Sequence, residues 1–119
     1  MFRDVLREVV ESAEGGIAGL LMGYDGIPVE QYVKDDASVN VESIGMEYSV
    51  ILTQIRKAAE MLDAGSAREV SIQAERMTTV IRLLNNDYFV AVTLGPQGNH
   101  GKARYLLRTN ASKFLESLG

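Results

Sequence analysis

Residues 40–65 place the tightest constraint on what this chain can become. Ile44, Tyr48, Ile51, Ile55, Ala58 and Leu62 recur at spacings of three and four, the period of one face of an α-helix. The segment carries its own boundaries. Asn40 is a capping residue, Glu42 and Glu47 fall early, Arg56 and Lys57 fall late, and Gly65 supplies backbone freedom after the last turn. At about 100° per residue, Met46, Val50 and Met61 form a second apolar stripe roughly opposite the first. One stripe covers the helix's own core. The second predicts a surface that another body covers, with Gln54 and Lys57 as its rim.

The rest of the composition limits what that other body can be. The 119 residues suit one domain, 1–119, and 46% hydrophobic with 24% charged residues is the balance of a soluble globular chain. A formal net charge of -4 and no Lys/Arg run argue against a nucleic-acid partner. Without cysteine there is no disulfide, no Cys-ligated zinc and no Cys nucleophile, which suits a cytoplasmic setting. Arg3, Asp4, Arg7 and Glu8 interrupt the first apolar stretch, so it reads as an amphipathic helix and not a signal peptide. No apolar run approaches the roughly 18 residues of a membrane span, so no membrane insertion is expected. Asn110-Ala111-Ser112 matches a glycosylation sequon by accident in such a chain.

In order, Phe2, Val5, Leu6, Val9 and Val10 give the first helix an apolar face, stopped by Gly15-Gly16. Residues 17–24 predict a central strand, with Ile17 and Leu21 on one face and Ala18, Leu20 and Met22 on the other. Asp25-Gly26 is a hairpin turn, and Pro28 places the return strand, 27–33, at a sheet edge. A polar linker, 34–39, leads to the long helix. Val70, Ile72 and Ala74 then alternate with Glu69, Ser71 and Gln73, a strand wet on one face whose edge can pair with its own copy. Strands at 76–84 and 88–94 follow, the latter central, then a loop at 95–101. A last helix carries Ala103, Leu107, Ala111, Phe114 and Leu118 on one face.

Chemistry finds little footing. The run Gly95-Pro96-Gln97-Gly98-Asn99-His100-Gly101-Lys102-Ala103 lies between strand and helix, as a phosphate loop does. Pro96 stands where its first glycine belongs, however, and Ala103 replaces the Ser/Thr that holds magnesium. A flexible connection is the better reading. His100, the single histidine, has no partner at ligand spacing. No serine sits in a Gly-x-Ser-x-Gly setting, and Glu30, Asp35, Asp36, Glu42 and Glu47 match no calcium loop. Arg68 and Arg76 flank the third strand as surface charges, or as arginine fingers toward a partner. No cofactor or metal is expected.

The run Gly19-Leu20-Leu21-Met22-Gly23-Tyr24-Asp25-Gly26-Ile27-Pro28-Val29, the long middle helix, the three-strand meander and Gly101-Lys102-Ala103-Arg104-Tyr105-Leu106-Leu107 together resemble the Roadblock dynein-light-chain family. Within it the chain is similar to small bacterial members like MglB, although it lacks the long terminal extensions of several of them. The resemblance implies an α+β fold ordered helix, two strands, helix, three strands, helix. It implies a five-stranded antiparallel sheet with the middle helix on one face and the terminal helices on the other. It also implies a homodimer through the middle helix and third strand, which places Met46, Val50, Gln54, Lys57, Met61, Glu69, Ser71 and Gln73 at a dimer or partner interface. The implied function is non-enzymatic: binding a Ras-like small GTPase or a scaffold protein, as a GTPase-activating or co-regulatory partner. The alternatives are a structural adaptor resembling a motor light chain and, on different grounds, a nucleotide-binding enzyme using the 95–102 loop.

Overall fold

A computed structural model describes all 119 residues. The chain runs α1 (Phe2–Ser12), β1 (Gly16–Gly23), β2 (Pro28–Val33), α2 (Val41–Met61), β3 (Glu69–Gln73), β4 (Thr78–Leu83), β5 (Tyr88–Leu94) and α3 (His100–Leu118). The five strands form one antiparallel sheet in the order β2-β1-β5-β4-β3. This is the α+β arrangement expected from the sequence. Pro28 opens an edge strand, and the apolar strands β1 and β5 lie inside the sheet, where both faces are covered. The first hairpin closes at Gly26, whose φ of 86° needs glycine, while the Asp25 carboxylate accepts from the Ile27 N–H at 3.1 Å.

Two apolar layers sandwich the sheet. On one side Leu6, Val9 and Val10 of α1 and Ala103, Leu107 and Phe114 of α3 meet Leu21, Val80, Val90, Val92 and Leu94. On the other, Val41 and Leu52 of α2 meet Ala18, Leu20, Met22, Ile81, Leu83, Phe89 and Ala91. Alternation along each strand sorts these residues between the faces. Ile17 departs from it. It packs with the α2-side cluster, because a register shift between Gly16 and Ala18 in the β1–β5 pairing breaks the alternation there.

α2 is capped as expected, its Asn40 side chain accepting the Ser43 N–H at 3.1 Å. Its inward face is rotated from the predicted stripe. The fully buried positions are Val41, Gly45, Ser49 and Leu52, with Ile44, Tyr48 and Ile55 half-buried at one flank and Ile51, Ala58 and Leu62 exposed. The reason is close approach. A Cβ at Gly45 would stand 2.2 Å from Leu20 Cδ2 and 2.9 Å from Met22 Sδ, so the helix rests on β1 through its smallest residues. Ser49 hides its hydroxyl by donating to the Met46 carbonyl at 2.7 Å.

α3 begins at His100, capped by Asn99, whose side chain accepts the Lys102 N–H at 3.0 Å. Asn110 lies buried on its inner face and donates to the Leu106 carbonyl at 2.8 Å, so the sequon is sequestered. No helix is long and apolar enough to cross a membrane.

Candidate protein-interaction surface

The outward side of α2 is where the predicted second stripe lies. Met46, Val50 and Met61 are 57%, 61% and 81% exposed, and Gln54 and Lys57 are exposed alongside them. The surface is wider than the sequence reading allowed. Ile51 and Leu62, assigned to the inward stripe, face solvent because the helix turns Gly45 and Ser49 inward instead. Ile27 is also exposed beside Gly26, where a Cβ would lie 4.0 Å from Met46 Cγ, so the β1–β2 turn extends the patch. Its signal in the sequence was an apolar residue directly after a tight turn.

β3 supplies a second open feature. The Leu83 N–H donates to the Arg68 carbonyl and the Ala74 N–H to the Met77 carbonyl, so even-numbered positions of this strand turn toward β4. The alternation of antiparallel ladders then turns the N–H and C=O groups of Glu69, Ser71 and Gln73 outward. These three own the free edge, although their side chains stand on the α3 side. Glu69 accepts from Arg104 at 2.7 Å, and Gln73 Nε2 lies 3.5 Å from His100 Nε2. The far edge is blocked at Gln31. There the Gln31 N–H donates to the Glu30 carboxylate at 3.0 Å and its carbonyl accepts from Arg3 at 3.1 Å.

Polar contacts hold the surface in place. The Arg56 guanidinium sits 4.1 Å over the Tyr24 ring and tethers the end of α2 to the turns. The Tyr24 hydroxyl donates to the Asn85 carbonyl at 3.1 Å. Burial pushes the Tyr24 phenol above its ordinary range, with Arg56 pulling the other way. The hydrogen bond from Arg104 holds the Glu69 carboxyl below the usual carboxylate value.

The 95–102 loop is tied to its neighbours by its own amides. Gly95, Gly98, Asn99 and His100 donate their amides to Gly15, Gly95, Glu14 and Gly98 carbonyls, and Lys102 donates to the Asn99 side chain. Amides already donating inside the chain are not free to cradle a phosphate. His100 is half-buried at the start of α3. The carboxylates of Glu30, Asp35, Asp36, Glu42 and Glu47 gather into no group of three. Arg68 and Arg76 are both exposed, and only Arg68 lines a groove.

Searches against family models and against curated proteins return no match. Among solved structures, MglC from Myxococcus xanthus is 43% identical over 94% of this chain and 94% of that one, with a TM-score of 0.68. The Roadblock/LC7 domain from Streptomyces avermitilis superimposes with a TM-score of 0.85, covering 98% and 96% of the two chains at 15% identity. The chain belongs to the Roadblock/LC7 family, alongside MglC. MglB from Myxococcus xanthus matches this Roadblock/LC7 chain with a TM-score of 0.82, covering 97% and 94% at 9% identity, a likeness of fold alone. The sequence relationship thus runs to MglC, and MglB shares the family architecture.

Proposed function

We propose that this Roadblock/LC7 protein is a non-enzymatic, homodimeric regulator or scaffold that binds a Ras-like small GTPase, acting in the cytoplasm as one domain over residues 1–119. The observation that carries the reading is the exposed apolar side of α2 beside the unpaired edge of β3. Covering one large aliphatic side chain is worth about 1.5–3 kcal/mol, so Met46, Val50 and Met61 reward a partner that lies across them. Two copies joined along β3 would bring two α2 helices together into one composite platform, with Glu69, Ser71 and Gln73 at the seam. Such a platform regulates a GTPase only by binding one nucleotide state better than the other, since a binder indifferent to state shifts nothing. Stimulated hydrolysis has the thinner support, because the MglB likeness is of fold alone, whereas a co-regulator or adaptor role needs only the surface.

The test loads a Ras-like GTPase with GDP or a GTP analogue and measures binding to this protein, then follows GTP turnover with and without it. A preference for one state supports the regulator. Binding without preference and without change in turnover leaves the adaptor, and no binding removes the GTPase reading. Titration of GTP into this chain alone is expected to show no saturable binding; binding lost on Lys102→Ala would restore the enzyme reading.

A further inference from the structure

On the face opposite α2, the start of β3, β4 and the first half of α3 enclose a groove of about 380 Å³. Arg68, Arg82, Arg104 and Arg108 line it with Tyr105, and Glu69 is its one acid. The topology makes the cluster. Antiparallel pairing sets Glu69 opposite Arg82, and α3 crosses above with Arg104 and Arg108 one turn apart. Only Arg104 is neutralised, by Glu69 at 2.7 Å, while Arg68, Arg82 and Arg108 have no carboxylate within 4.0 Å. A third of the twelve basic residues of a chain with net charge -4 therefore converge on a single carboxylate. Arg82, Arg104 and Arg108 each also act to keep Glu69 ionised, so their charges fall on the same point.

We infer that this groove docks an acidic segment of a partner protein. Guanidinium groups are planar forks that match carboxylates two bonds at a time, and Glu69 on Arg104 shows the groove already holding one. Arg108 lies 5.6 Å from the Tyr105 ring centroid, which spreads its fork along the α3 wall. Three uncompensated charges suit a short stretch of two or three carboxylates. A long polyanion is less suited, because beyond the groove it meets a chain whose formal net charge is -4. The groove does not rest on the GTPase reading, since it opens on the α3 side of the sheet and not on the α2 surface, with Glu69 bordering the β3 edge.

Fluorescence anisotropy with a labelled hexaglutamate peptide tests this, with hexaglutamine as the control. Hexaglutamate is expected to bind the full chain, hexaglutamine not, and added salt to weaken the contact. Arg82→Ala with Arg108→Ala, which breaks no ion pair of the fold, is expected to weaken binding about tenfold. Glu69→Gln should act in the opposite direction, because it removes the resident acid and frees Arg104 for the peptide. Equal affinity for both peptides, or no loss in the double variant with its circular dichroism unchanged, overturns the proposal. So does tighter binding of inorganic phosphate, a single-stranded oligonucleotide or phosphatidylserine vesicles that the double variant abolishes.

Discussion

Gly45 lies against Leu20 so closely that a methyl group on it would stand 2.2 Å from Leu20 Cδ2. Leu20 and Met22, the two side chains in the way, are buried and have nowhere to swing. Gly45→Ala gains about 1 kcal/mol of helix propensity but incurs about 1–3 kcal/mol of overpacking. A net loss near 1 kcal/mol is expected, read as a lower urea midpoint. Gly101→Ala has the opposite sign. Its Cβ would meet only Asn99 Oδ1 at 3.6 Å, an ordinary contact, and a rise of about 0.5 kcal/mol is expected, seen as about 2 °C in melting temperature.

The α2 surface predicts an assembly. Met46→Glu with Val50→Glu replaces two exposed side chains and touches no buried contact of the chain. The folded protein should survive, with its circular dichroism unchanged. Sedimentation equilibrium should show a dimer for the parent and a monomer for the variant. A parent that stays monomeric at high concentration overturns the dimer, and a variant that stays dimeric places the interface elsewhere.

How much of this was legible depended on whether a residue announces itself by size or by smallness. Pro28, Asp25-Gly26 and the apolar runs of β1 and β5 put β2 at an edge after a tight turn and β1 and β5 inside the sheet, because each is a strong local signal. The face of α2 was misjudged because its contact with β1 is made by Gly45 and Ser49, which no count of large apolar residues detects. Asn99 as the cap of α3 was hidden inside a run that resembled a phosphate loop. The arginine groove was out of reach altogether. Its members come from the residue before β3, from β3, β4 and α3, and only the register of Glu69 against Arg82 and the crossing of α3 unite them.

Acid should weaken the link between β3 and α3. The Glu69 carboxyl is held below its ordinary value by Arg104, so its folded pKa is lower than its unfolded one. A depressed carboxylate adds stability above the unfolded pKa and loses it as pH falls through the folded one. Glu69→Gln should therefore be less stable than the parent near neutrality, and the gap should close as pH falls below the ordinary carboxylate range. Both groups are partly exposed, so the effect is small and salt-sensitive. Urea unfolding at pH 7 and pH 3 measures it; a gap that widens at pH 3 contradicts the assignment.

The outward backbone of β3 offers the sharpest test of edge pairing. Ser71 stands between Val70 and Ile72, and only those neighbours share the parity of Arg68 and Ala74, which bond into the ladder. Ser71→Pro removes an N–H that no strand of the same chain accepts, which is the position where an edge strand tolerates proline. Ile72→Pro removes an N–H from the β3–β4 ladder and a half-buried side chain from the α2-side core. The first variant should fold and sediment as a monomer; the second should lose about 3 kcal/mol or more of stability. If Ser71→Pro remains a dimer, the copies meet through α2 alone and the edge of β3 stays free for another strand.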